Sequence, residues 1–341
     1  MKQLLLFLGL TVVGFYTGQL SHINPISLDF FPRFASFSLV IGLYGSVIGI
    51  NLQAIQKRKW LVILIVTVAV PIQIIATGGL MYLINPAAVS FLLAVAIDQI
   101  DPLSVETLLQ DKDKMSEEAK GILRIWASFD DPMTVLFGFL ILLPLVAGTS
   151  IGFTLQTYTL GLALNVIPAI ILWILKRYTK IFENQKILLI VILFMLLYAF
   201  WTQSYLLAAI AGLFLRPTSL KVLKVFEMFI LYLFYIIIFI VGMTLYSYGI
   251  DFRLGILLAI VEFFVVQPIS AVVFFSGTAS DVFRIAFAQQ NGLTTLLMGI
   301  AFQSLGINVL GILLPAIIMI NAFNLGINKL YSWKEKRGLI T

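Results

Sequence analysis

The sequence predicts an all-α polytopic membrane protein of about twelve transmembrane helices, arranged as inverted repeats with two discontinuous helices. Three observations carry this. Apolar runs of about 20 residues, long enough to cross the hydrocarbon layer as helices, recur through a chain that is 61% hydrophobic and 11% charged. Lys and Arg gather in every second connection between those runs. Five carboxylates, Asp98, Asp101, Asp130, Asp131 and Glu262, lie near the middle of apolar runs, with no Lys or Arg at comparable depth.

The first expected span covers residues 3 to 20. Lys2 ahead of it gives the outline of a secretory signal, but no A-x-A-like small-residue site follows, which favours an uncleaved span. The second, 35 to 55, carries Gly42, Gly45 and Gly49, which allow close helix approach within one copy or between two. The third, 60 to 84, follows the basic triplet Lys57, Arg58, Lys59 and contains Pro71 and Gln73. The fourth, 87 to 109, contains Asp98 and Asp101-Pro102; proline removes a backbone donor and clashes with the preceding turn, so a break is expected there. Counted from Ala87, Asp98 lies about 16 Å along the helix, half the hydrocarbon thickness.

The fifth span, 121 to 143, holds Asp130-Asp131-Pro132. Asp131 as an N-cap with Pro132 at the first helical position is a common helix start. That start leaves only 132 to 143 before Pro144, too short to cross, whereas a helix from near Gly121 puts Asp130 about 14 Å inside. The sixth to ninth spans are expected at 150 to 175, 187 to 202, 204 to 215 and 222 to 246. Lys176, Arg177, Lys180 and Lys186 mark one connection among them, and Arg216, Lys221 and Lys224 another. The tenth, 252 to 275, carries Glu262 and Gln267-Pro268. The eleventh, 282 to 305, is interrupted by Gln289-Gln290-Asn291-Gly292, and the twelfth covers 307 to 330. Irregular backbone at membrane depth is tolerated only where protein or water satisfies it. Spans three to five and ten to twelve would be the repeated units, with Pro71 and Gln73 facing Gln267 and Pro268.

One side of the membrane receives 20 of the 22 basic residues, leaving Arg33 and Arg253 on the other. Both termini are therefore expected in the cytoplasm, as an even span count requires. The net charge of +6 is then an orientation signal, and no nucleic-acid partner is expected. Absence of cysteine excludes disulfides, thiol catalysis and cysteine metal sites, and the single His22 argues against a histidine metal centre. No loop is long enough for a soluble domain, so residues 1–341 form a single transmembrane domain. Arg33, Arg253 and Arg284 near span ends read as snorkelling anchors. Trp60, Trp173 and Tyr178 read as an aromatic belt.

Ionisable groups in hydrocarbon are costly and face a partner or a water-filled path, so an unbalanced acidic cluster points to a cation or proton site. Hard cations favour oxygen ligands. Asp131, Asp130 or Asp98, freed carbonyls near Asp101, and Thr134 or Ser128 are the candidates. A carboxylate that holds either a proton or a metal ion makes the two compete.

Taken together, Ile100-Asp101-Pro102-Leu103-Ser104-Val105, Asp130-Asp131 some 29 to 30 residues later, and Ala286 to Leu293 in the eleventh span resemble the monovalent cation:proton antiporter superfamily, of the bacterial sodium/proton antiporter type. Its members carry a T-D-P-like break in one helix and an N-D or D-D pair in the next. The resemblance implies a core domain from spans within 60–143 and 252–330, a scaffold or dimerisation part from the remaining spans, and a homodimer in a cell membrane, the bacterial inner membrane. It implies no enzyme activity and no cofactor. The implied partners are protons and a monovalent cation, Na⁺ or Li⁺, with K⁺ as a further candidate. Asp131 aligns with the family's cation- and proton-binding aspartate, Asp130 with the residue before it, and Asp101 with the acid at the first break. Asp98 has no firm counterpart and is either a liganding acid or a cap. Asn291 and Gly292 fall in the second break.

Two positions depart from the family pattern. Gln267 stands where many members have Arg or Lys, and Trp126 where an acid is frequent. Losing both members of an ion pair leaves no orphan charge, but the coupling stoichiometry becomes open. Glu262 either shares a proton with the cluster or is a neutral structural acid. These departures favour, as an alternative, a non-transporting sensor or scaffold. A sodium-coupled organic anion carrier would want a mid-membrane cation. An intramembrane prenyltransferase would use the aspartates for magnesium and diphosphate, yet the later half supplies only Asp281 and Glu262 as a second acidic motif. An intramembrane aspartyl protease would need a G-x-G-D pattern, which the chain lacks.

Overall fold

The computed structural model describes residues 2–48, 59–100, 105, 115–147, 154–217, 219–275 and 277–337, and contains no strand among them. Helix α1 (Lys2–Ser21) passes through a 3₁₀ turn (Pro25–Ser27) to α2 (Phe31–Ile48). Next come α3 (Lys59–Leu64), a π-helical segment (Ile65–Ala69) and α4 (Val70–Ile84), end to end, and then the short α5 (Val89–Ile97). Helix α6 (Glu117–Val135) continues through a second π segment (Leu136–Leu142) into α7 (Leu143–Ala147). Helices α8 (Leu155–Tyr178), α9 (Gln185–Thr202), α10 (Tyr205–Phe214) and α11 (Leu220–Tyr248) follow. A third joined unit comprises α12 (Phe252–Ile260), a π segment (Val261–Val266) and α13 (Gln267–Phe274). The chain closes with α14 (Ala279–Ala286), α15 (Leu293–Ser304) and α16 (Leu310–Lys336).

The sequence explains how the three long units stay continuous. Each π segment runs directly into a residue-proline pair: Val70-Pro71, Leu143-Pro144 and Gln267-Pro268. A proline inside an α-helix has no N–H to donate and collides with the carbonyl four residues earlier. Widening the preceding turn by one residue moves that carbonyl aside, so the helix continues instead of breaking. Pro132 is likewise interior. Ser116, whose side chain accepts from the Ala119 N–H, caps α6, with Glu117 and Glu118 in the first turn. The Asp130-Asp131 pair therefore lies well inside a helix, and the helix start at Asp131 is not used.

Among the described residues, eight helices are long and apolar enough to cross a membrane. The expected first, eighth and eleventh spans correspond to shorter apolar helices. Polarity is distributed as a bilayer demands. Leu83, Ile75, Val272 and Leu155 face outward, while Gln73, Asp130, Glu262 and Gln289 are buried. Trp60 and Tyr178 are strongly exposed, in keeping with an interfacial position.

Glycines set the closest helix contacts. A Cβ on Gly14 would meet the Phe239 carbonyl and one on Gly242 the Thr11 carbonyl, which lets α1 lie directly on α11. A Cβ on Gly42 would stand 2.6 Å from Leu297 Cδ1, and one on Gly45 would collide with Ile230. Both glycines therefore serve packing within one copy of the chain. Gly49 lies outside the described residues.

Arg33 and Arg253 are exposed, as expected of anchors. Arg284 corrects that reading, because it is 1% exposed. Its guanidinium donates to Glu335 Oε2 at 2.5 Å and lies 4.9 Å from the Tyr331 ring centroid. Phe283 stacks on the same ring at 4.2 Å. An Arg can be buried where a carboxylate and a ring face replace water, and α16 supplies both to α14.

Candidate cation and proton site

The site forms where two non-helical stretches meet, residues 98–100 after α5 and residues 287–292 between α14 and α15. Ending α5 at Ile97 frees carbonyls that a continuous helix would have used. The Asn291 amide donates to Ile97 O at 2.6 Å and to Gln99 O at 3.0 Å, and Gln289 Nε2 donates to Ile97 O at 3.0 Å. The Ile100 N–H is taken by Asp130 Oδ2 at 2.8 Å. Each stretch thus supplies polar groups that the other needs, so neither leaves bare backbone in an apolar interior.

The second stretch is also held from α16, whose Asn321, Asn324 and Asn328 share one face. Asn321 exchanges two bonds with the Asn291 backbone, each 3.0 Å. Asn324 and Asn328 donate to Phe287 O at 2.7 and 3.2 Å, and Gln290 donates to Asn324 Oδ1 at 2.5 Å. Gly292 is the N-cap residue of α15.

The predicted acids fall into two groups. Asp130 and Asp131 are adjacent on α6 and fully buried. Asp131 Oδ2 accepts from Thr294 Oγ1 at 3.1 Å, and Asp130 Oδ1 meets no donor among the described residues. Thr134, one turn on, donates to the Asp131 carbonyl at 3.0 Å and accepts from Gln99 Nε2 at 2.9 Å. Asp98, the C-cap residue of α5, belongs to the other group and lies beside Glu262. Glu262 Oε2 accepts from Thr77 at 2.5 Å, and its Oε1 from Gln289 at 3.4 Å.

Gln267 donates nothing to this cluster. Its Oε1 accepts from Gln73 Nε2 at 2.8 Å, which joins the two proline-bearing units face to face at the pair expected from sequence. Thr77 and Glu262 continue the same seam. Asp101 lies outside the described residues, as does the Ser128 side chain. No Lys or Arg is paired with Asp98, Asp130 or Glu262 among the described residues. Nor do three His, Cys, Asp or Glu side chains gather closely enough there to hold a metal ion. An ion at Asp131 would therefore draw on hydroxyl and carbonyl oxygens as well as carboxylates.

Thr77, Gln99, Thr294, Thr295 and the three asparagines of α16 are site residues that the sequence reading passed over. The asparagines had a signal: polar residues at positions 321, 324 and 328 of an apolar run share a helix face. The threonines had none, since Thr in a membrane helix more often bonds its own backbone.

No protein-family profile and no curated protein matches the sequence. A solved structure does: the chain is similar to the sodium proton antiporter MjNhaP1 from Methanocaldococcus jannaschii at pH 8, with a TM-score of 0.66 over 92% of this chain and 89% of that one. At 15% identity the likeness is one of architecture, and the chain has the fold of that sodium proton antiporter.

Proposed function

We propose that this chain is a secondary active transporter that exchanges a monovalent cation, Na⁺ or Li⁺ with K⁺ as a further candidate, for protons at Asp131 and Asp130. The observation that carries the reading is the Asp130-Asp131 pair itself. It is buried inside a membrane-spanning helix and bonded to the ends of two interrupted helices, on a fold shared with a sodium proton antiporter.

In this reading α14 and α15 are the halves of one discontinuous helix, and α5 is the first half of the other. Asp131 binds either a proton or the cation. Thr294 and Thr134 add oxygens beside it, and Asp130 adds charge while anchoring Ile100. Asn291, Gly292 and Gln267 support this site without binding the ion. Asp98 and Glu262 form an adjoining carboxyl pair. A site carrying an uncompensated carboxylate resists transfer across the apolar barrier, whereas one neutralised by H⁺ or a monovalent cation does not. Only occupied sites then change their side of exposure, and competition becomes exchange. The core, drawn from 60–143 and 252–330, would move against the remaining helices in a homodimer, with both termini cytoplasmic.

The test is dequenching of a pH-sensitive dye in everted vesicles energised with a proton gradient, on addition of Na⁺, Li⁺ or K⁺. Cation-dependent dequenching by wild type and its loss in Asp131→Asn, with insertion unchanged, is the expected result. No response from well-expressed wild type would instead favour the non-transporting sensor or scaffold, the reading that the Gln73 to Gln267 pair supports.

A further inference from the structure

Glu118, Ile122, Trp126 and Asp130 recur every fourth residue along α6 and so share one face, about 6 Å apart. At the start of that face a cavity of about 220 Å³ lies between α6 and α14. Its rim includes the exposed Glu118 and Thr278 and the carboxylate of Asp281, and its floor is Ile122, Phe275 and Ile285. Asp281 fixes the rim, since Oδ1 accepts from the Ser116 N–H at 2.9 Å while its own N–H donates to Thr278 at 3.1 Å. Beyond the floor, Trp126 packs on Phe275 with ring centroids 4.8 Å apart. Trp126 is fully buried, and its indole N–H has no acceptor among the described residues. One turn further along the same face is Asp130.

We infer that this cavity is the aqueous vestibule through which protons from that side reach Asp130, and that Trp126 packed on Phe275 is the gate between them. The inference rests on the exchange reading and adds a route to it. The wall of Ile122, Trp126, Phe275 and Ile285 offers no side-chain oxygen, so a cation stripped of water finds no ligand there. Water does find one partner, because the indole N–H is a donor with nothing to donate to, in a place where buried polar groups are normally satisfied. A small displacement of Trp126 would link vestibule and carboxylate by water while leaving the metal ion excluded. Ions would enter elsewhere.

The chain contains no cysteine, so single cysteines report accessibility without background. Glu118→Cys (rim control), Ile122→Cys and Asp130→Cys would each be treated with a membrane-impermeant, positively charged methanethiosulfonate in vesicles of both orientations. Labelling is read by mass and does not depend on transport, so failure of the exchange reading and failure of this one are separable. We expect the Glu118→Cys and Ile122→Cys variants to label from the same side and the Asp130→Cys variant to be protected. Adding Trp126→Ala to Asp130→Cys should raise its labelling rate at least about tenfold from that side, whereas adding Trp126→Phe, which keeps a ring packed on Phe275, should not. An unreactive thiol in Ile122→Cys beside a reactive one in Glu118→Cys would overturn the vestibule. A labelling rate of Asp130→Cys that is independent of residue 126 would overturn the gate.

Discussion

Replacing Asn291 by Ala removes the amide that links the two interrupted stretches. That amide donates to Ile97 O, Gln99 O and Thr295 Oγ1. Gln99 O has no other donor among the described residues, so truncation orphans a buried carbonyl, at about 1–3 kcal/mol. Ile97 O keeps its bond from Gln289, so its loss is limited to about 1 kcal/mol. The sum is about 2–4 kcal/mol, or about 4–8 °C in melting temperature at about 2 °C per kcal/mol for a large chain. Intrinsic tryptophan fluorescence of detergent-solubilised protein follows the transition. The same change loosens the backbone beside Asp130, so the cation concentration for half-maximal exchange should rise by about tenfold to a hundredfold. Asn328→Ala is the control, because Phe287 O still accepts from Asn324, and it should cost only about 1 kcal/mol. Equal losses for the two variants, or an unchanged half-maximal concentration in Asn291→Ala, would refute the assignment of Asn291 as the link.

Glu262→Gln should preserve stability to within about 1 kcal/mol, since the amide oxygen can still accept from Thr77, whereas Glu262→Ala should lose about 1–3 kcal/mol by stranding the Thr77 hydroxyl and one N–H of Gln289. Equal melting temperatures for the two variants would show that the bonds Glu262 accepts contribute nothing. Arg284→Ala should destabilise by about 2 kcal/mol through loss of the Glu335 pair and the Tyr331 ring contact, with Arg284→Lys intermediate in thermal melting. If Arg284→Lys matches wild type, the planar contact contributes nothing. Gly255→Ala should cost more, about 1–3 kcal/mol, than Gly42→Ala. The new Cβ at 255 would stand 2.7 Å from the Ile312 carbonyl, which cannot move aside, whereas Leu297 beside Gly42 can rotate. The reverse order in melting temperature would count against the packing of α12 on α16.

The apolar periodicity located nearly every helix, because in a bilayer each spanning segment must satisfy its own backbone and announces itself by length and hydropathy alone. The expected span around Asp130 assumes an end before Pro144; the helix instead continues through Pro144 to Ala147, and its start at Glu117 is what puts the aspartate pair inside it. The Gln73 to Gln267 contact followed from matching proline-bearing segments. The π segments before Pro71, Pro144 and Pro268 were not legible. A proline predicts a disturbed turn, but whether the helix widens or breaks depends on what surrounds it.

Residue types and spacing alone predicted a multi-pass helical protein with acids at mid-depth of its apolar runs. Tertiary contact decided the rest. Asp98 lies beside Glu262, Asp130 caps Ile100, Asn321, Asn324 and Asn328 brace the second interruption, and Arg284 is buried against Glu335. The physical reason is the range of the forces. Hydrophobic burial and backbone satisfaction act within one segment and are written along it, whereas a hydrogen bond joins two atoms a few ångströms apart whose residues can stand far apart in the chain, as Asn291 and Ile97 do.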